Sequence, residues 1–217
     1  GLDQANHRFV FSGVNGALGV MEASMGLGAC LSRADAVESE PLYHVSALQI
    51  RLIYQLWRGH AREADRIKER IELLRIETSP RQLGDGTHFI AQITAHANSD
   101  DLTRMKHSLD EVRVFARRHP GWGPVLQYAM AEYQRLRGDL QLAAQQLRLV
   151  VDSVSAGKHQ IWPHAAAAYT RVLSGLGCVE DAIEFATRSL GAAEAERLGY
   201  LTNYIRLPLA LALAQQG

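Results

Sequence analysis

Residues 119–197 carry the same stretch of sequence twice, and no other feature limits the fold of this chain as tightly. Trp122 recurs as Trp162, Pro124 as Pro163, Gly138 as Gly177 and Ala143 as Ala182, so the two copies run at one nearly constant offset. Each copy opens with an aromatic residue and a proline and runs in apolar periodicity to a glycine. A second apolar-periodic run follows, with an alanine five residues beyond that glycine. The pattern is that of a helix, a tight turn and a second helix.

Each marker residue has a physical reason to be where it is. Proline is tolerated at the first helical position, where its missing N–H would have had no intrahelical partner, so Pro124 and Pro163 mark helix starts. Gly138 and Gly177 fall just past the first helices, where a left-handed backbone ends a helix without steric penalty. Ala143 and Ala182 lie one turn into the second helices, where a small side chain lets antiparallel helices approach. One such hairpin cannot bury its apolar face alone, so hairpins stack, and a period near 39 predicts a helical solenoid.

At these residues the sequence resembles the tetratricopeptide repeat family. The segments "AEYQRLRGDLQLAAQQL" (131–147) and "YTRVLSGLGCVEDAIEFATRSL" (169–190) are similar to its pattern of aromatic, turn glycine, small residue and large apolar residue. The period is longer than that family's ~34 residues, and Tyr133 stands one residue off the aromatic slot. Longer repeats of this kind resemble those of bacterial signalling ATPases and of maltose-regulator-type transcription regulators. HEAT-like repeats of ~40–47 residues are the rival pattern; the turn glycine and following alanine favour the first. The resemblance implies an all-α, right-handed superhelical solenoid of antiparallel hairpins. Taken in order, the chain shows no domain boundary and reads as one domain over 1–217 of about five hairpins plus one terminal helix, expected to be part of a larger multidomain protein.

Composition bounds the function classes. The chain has 217 residues, 47% hydrophobic and 21% charged, enough apolar material for a continuous core. Lys+Arg and Asp+Glu both number 23, so no excess positive charge draws it to a phosphate backbone and nucleic acid is not expected as a direct partner. Cys30 and Cys178 each fall near the start of an expected second helix, in different hairpins. They read as buried free thiols in a reducing cytoplasm, and the expected location is cytoplasmic.

Along the chain, "FVFSGVNGALGVMEASMGLGACL" (9–31) is apolar and glycine-rich. Asn15 and Glu22 interrupt it as a membrane span, it lacks a signal peptide's basic start, and Gly13, Gly16 and Gly19 have the wrong spacing for a dinucleotide fingerprint. It reads as a buried helix, with Gly26 as a turn and 29–38 as a second helix; no membrane contact is expected. Residues 40–76 form the next hairpin, with Gly59 as turn glycine and Ala64 as small residue. The mixed charges of 62–72 make a solvated outer face. The longest loop is expected over 75–87, broken by Pro80, Gly84 and Gly86. Beyond it, 88–97 and 101–117 make a degenerate hairpin in which "NSDD" (98–101) replaces the turn glycine, Asp100 or Asp101 caps the second helix and Met105 takes the small-residue slot. A final helix is expected over 201–216, kinked at Pro208 or starting near Leu207.

Nine histidines invite a metal reading, but His88 and His96 are eight apart and His159 and His164 five apart, without the helical spacing or acidic neighbours of a zinc site. No nucleophile elbow, zinc-protease motif or phosphate-cradling loop occurs, so no enzyme activity, metal or cofactor is expected. Arg137-Gly138-Asp139 is the helix turn rather than an adhesion motif.

The resemblance implies that the first helices line a concave groove that binds an extended peptide or partner segment. On the fourth first helix, Met130 and Ala131 should face the partner helix, leaving Tyr128, Glu132 and Arg135 on the inner face. Their equivalents one period on are Ala167, Arg171 and Ser174, with His164 one turn earlier. Tyr204 on the last helix completes the expected partner-binding set. The reading is a non-catalytic protein–protein interaction or scaffold module of a bacterial signalling or regulatory protein. The alternative is an effector-sensing domain that binds a small molecule or signalling peptide and controls an attached output domain. Gly217, one period after Gly177, reads as the turn of a sixth hairpin. The run "LPLALALAQQ" before it is apolar on more than one face, so 201–216 should be covered by further repeats or by a second copy of the chain in a homodimer.

Overall fold

The computed structural model describes residues 2–39, 43–77 and 87–216. Every regular element among them is helical, and no strand occurs among the described residues. Contacts divide the chain into two compact units, residues 1–95 and 96–217.

The first unit contains α1 (Leu2–Ser24), α2 (Ala29–Glu38), α3 (His44–Trp57), α4 (Ala61–Glu77) and most of α5 (Thr87–Asn98). Here α1 packs on α2 and α3, α2 on α3, and α3 on α4. The α3–α4 hairpin shows how the sequence pattern becomes packing. Val45, Leu48 and Leu52 of α3 meet Ala64, Ile67 and Ile71 of α4, two stripes at helical spacing. Ala64 holds the small-residue slot and is buried. Between α1 and α3, Gly19 comes so close that an added Cβ would stand 2.6 Å from Ile50 Cδ1. Polar ties reinforce the stack: Arg33 of α2 donates to Glu22 and Asn15 of α1, and Arg51 of α3 donates to Asp35 and Glu38 of α2. The two residues that interrupt the apolar run of α1 are thus its anchors to the next helix.

The second unit holds the end of α5, then α6 (Leu102–Arg118), α7 (Gly123–Leu136), α8 (Leu140–Ser153), α9 (Trp162–Gly175), α10 (Val179–Ala195) and α11 (Thr202–Gln216). Each of α6 to α11 packs on the next. The first helices also stack on one another, α7 on α9 and α9 on α11. This order of contacts is consistent with stacked helix hairpins.

The duplicated turns close in the same way. Gly138 (φ +86°) donates to Arg135 O and Asp139 to Gln134 O, while Gly177 (φ +80°) donates to Ser174 O and Cys178 to Leu173 O. Both are the paired closure in which a left-handed residue satisfies the last carbonyls of a helix. At 98–101 Asp100 adopts the left-handed conformation itself (φ +52°), and Asp101 caps α6 by accepting from Arg104 N at 2.9 Å. Ala143, Ala182 and Met105 are all buried.

Several expectations need correction. Phe11, Val14, Met21 and Met25 in and just after α1 are exposed, so this helix is not buried all round. Cys178 is exposed at the N-cap of α10, unlike Cys30, and both thiols are free. Arg75, Ile76 and Glu77 belong to α4, not to a loop; Pro80, Gly84, Gly86 and Gly217 lie outside the described residues. Pro208 sits inside α11, which is helical from Thr202 onward, so the helix does not start near Leu207. Among the described residues no helix is long and apolar enough to cross a membrane, and no three metal-ligating side chains cluster.

Candidate functional site

The six residues picked out by the repeat phase lie on α7, α9 and α11 within the second unit. Glu132 is central and has no exposed surface. A carboxylate there requires partners on both oxygens, because an unpaired buried charge is costly. The repeat period supplies them. Arg135, one turn along α7, donates from Nε to Glu132 Oε2 at 2.6 Å. Arg171, at the same phase of α9, donates from Nη2 to Glu132 Oε1, also at 2.6 Å.

Arg135 has further work. Its Nη2 donates to the carbonyl oxygen of Ala97 at 2.5 Å, and its Nη1 lies 3.3 Å from Asp100 Oδ1. A guanidinium on the final carbonyls of α5 complements the negative end of that helix. Burial opposes the charge of Arg135, but Glu132 and then Asp100 more than offset it, and its pKa is held above the usual value. Three consecutive levels of the stack are tied through this one residue and Glu132.

Beside the ion pairs stands an aromatic column. His164 of α9 has its ring centroid 4.2 Å from that of Tyr204 on α11 and 6.4 Å from that of Tyr128 on α7. Tyr128 is fully buried and His164 is 7% exposed. Burial, reinforced by the charge of Arg171, lowers the pKa of His164 to about 3, so the imidazole is neutral at physiological pH.

Tyr128 and Glu132 therefore offer no surface to a partner in this conformation, which corrects their expected place on an open face. The reason is geometric: α7 packs against α6, α8 and α9, so more than one of its faces is buried. Ala167 is buried for the same cause. Solvent reaches Arg135 (side chain 19% exposed), Arg171 (29%) and the half-buried Tyr204. These three form the accessible edge. The repeat phase did not identify the Ala97 carbonyl or Asp100 as partners of Arg135. The signal for Glu132–Arg171 was present, since opposite charges one period apart on adjacent first helices are neighbours.

Chemically, both Glu132 oxygens are committed to guanidinium groups and the nearby imidazole is sealed and neutral. The arrangement fastens helices together and leaves partly exposed arginine and aromatic side chains at its rim, with the exposed Asp100 carboxylate beside Arg135. No family model matches the chain, and no curated protein or solved structure does either.

Proposed function

We propose that this chain is a non-catalytic protein-binding module, a right-handed solenoid of about five tetratricopeptide-like hairpins plus a terminal helix, that holds a peptide or partner segment along the edge shared by α7, α9 and α11. The observation that carries the reading is the rim of the Glu132 node. Arg135 and Arg171 are fixed in place by a buried carboxylate yet keep part of their side-chain surface in water. Tyr204 adds a half-buried aromatic ring on the next first helix. Pre-ordered arginine and aromatic side chains are the residue types that carry binding energy at protein interfaces, because little side-chain entropy remains to be lost. The two arginines, as donors to carboxylates, favour a partner segment that carries acidic side chains. The resemblance to repeats of bacterial regulators supports a place in a signalling or regulatory protein of the cytoplasm.

Selection of a random peptide library on the purified chain tests this. Enriched peptides should be acidic, and their chemical-shift perturbations should fall on α7, α9 and α11. Perturbations confined to other helices, or no enrichment over a scrambled library, would overturn the reading. Stabilisation by a small metabolite without peptide binding would establish the effector-sensing alternative instead, since a ligand at 100 times its dissociation constant adds ~2.7 kcal/mol.

A further inference from the structure

Gly26 (φ +68°), Gly59 (φ +73°), Gly138 (φ +86°) and Gly177 (φ +80°) each hold the left-handed residue of a hairpin turn. The turn between α5 and α6 puts Asp100 there instead (φ +52°). A side chain in that conformation carries a backbone cost that glycine escapes. The turn itself does not need this carboxylate, because Asp101 rather than Asp100 caps α6. Asp100 is 77% exposed, and the side chain it meets is that of Arg135 on α7, with Oδ1 3.3 Å from Nη1 and 3.4 Å from Nη2.

The other bonds of Arg135 are of a different kind. Glu132, wholly buried, accepts from Nε at 2.6 Å, and the Ala97 carbonyl accepts from Nη2 at 2.5 Å. These two anchor the guanidinium from within the stack. Asp100 lies further off than the ~2.7–2.9 Å of a well-seated charge-assisted bond, so it is a loose, wet carboxylate on an arginine that is already held. The charges around it balance: Arg135 and Arg171 carry two positive charges, and Glu132 and Asp100 two negative ones. A further carboxylate arriving at Arg135 finds its charge already answered. Withdrawal of Asp100 uncovers one positive charge at the rim.

We propose that Asp100 is a built-in competitor of the partner: it covers the Nη1–Nη2 edge of Arg135 in place of a carboxylate from an acidic partner segment, which docks by exchange. The proposal rests on the protein-binding reading given above and adds its regulation. Exchange keeps the node neutral, leaves the anchored guanidinium where it is, and asks Asp100 only to turn into the water around it. It also sets a threshold, since a segment must seat its carboxylate better than Asp100 does before it is accepted.

Fluorescence anisotropy of a labelled hexaglutamate peptide, capped at both ends, tests this on the full chain at low ionic strength, where exposed charges are least screened. Asp100→Asn removes the charge with a residue that tolerates the same backbone, and Asp100→Gly installs the residue of the other turns. Both should bind the peptide about two- to fivefold more tightly than wild type, the span an exposed ion pair is worth. Glu184→Gln removes the same charge from a 78% exposed carboxylate on α10 and should leave the affinity unchanged. Side-chain NMR signals of Arg135 should move when the peptide is added. Equal affinity in wild type and both Asp100 variants overturns the proposal, and so does weaker binding by the variants, which would mean that Asp100 steadies Arg135 for its partner. A gain matched by Glu184→Gln, or one that leaves the Arg135 signals in place, overturns it as an effect of net charge alone. Absence of binding by every variant overturns it too. The protein-binding reading stands or falls separately, on the peptide selection, which does not depend on Asp100.

Discussion

Glu132 and Arg171 stand one full repeat period apart in the chain, yet their side chains meet at 2.6 Å. The sequence period has become a contact: each residue sits at the same phase of its first helix, and stacking brings the two phases together. Arg135 completes the node from the other side at the same distance.

Reversing both arginines, Arg135→Glu with Arg171→Glu, should destabilise the chain by at least ~3–5 kcal/mol, the cost of stranding a buried charge. On an open face the same change would stay within ~0.5 kcal/mol. Urea unfolding followed by circular dichroism distinguishes the two, and an unchanged midpoint would mean that Glu132 is not held by these partners. Glu132→Leu should cost less than the reversal, because both arginines can turn their exposed edges to water.

His164 gives the fold a specific weakness in acid. A histidine in the unfolded chain takes up its proton as pH falls through 6.5, whereas in the fold His164 stays neutral down to about 3. Between those values the unfolded state binds more protons. Stability is complete above pH 6.5 and is lost as pH falls toward 3, with a limiting slope of ~1.4 kcal/mol per pH unit. His164→Phe should flatten the fall in thermal midpoint between pH 7 and pH 4 relative to wild type. Parallel curves for the two proteins would show that burial of this imidazole is not felt.

Gly177 and Gly191 should respond to alanine with opposite signs. An added Cβ meets nothing within 4 Å at either position, so only the backbone differs. Gly177 has φ +80°, where alanine costs ~1–2 kcal/mol. Gly191 lies inside α10, where alanine stabilises by ~0.5–1 kcal/mol. Thermal midpoints of the two single variants check this directly.

Asp101→Ala should cost ~1 kcal/mol through loss of the N-cap of α6. The carboxylate accepts from both the backbone N and a guanidinium N of Arg104, and its pKa is lowered chiefly by the backbone bond. Hydrogen exchange of the first turn of α6 should rise in the variant. Unchanged exchange would mean that the cap is dispensable.

Local chemistry was the legible part of the sequence. Gly26, Gly59, Gly138 and Gly177 all adopt positive φ where a turn was expected, because that conformation selects for residue type. Asp100 shows how the rule survives substitution, since a short polar side chain tolerates the same backbone. Helix–helix burial was less legible. One partner-facing stripe was assigned to α7, but neighbours on both sides close over Tyr128 and Glu132, and that depends on where other helices lie. For α1 the error ran the other way. An apolar, glycine-rich run reads as buried, yet its main packing partners are α2 and α3, and Phe11 and Val14 stay wet.

The two copies share one sequence pattern and one turn closure, and neither of these distinguishes a copy from a twin of itself. The Glu132–Arg171 contact makes that distinction. An array made from the first copy alone would set glutamate against glutamate with only Arg135 of the same helix as counter-ion, and one made from the second would set arginine against arginine with none. The ion pair thus acts as an address label. It favours the native contact of α7 with α9 over a like-with-like contact between two copies of either hairpin.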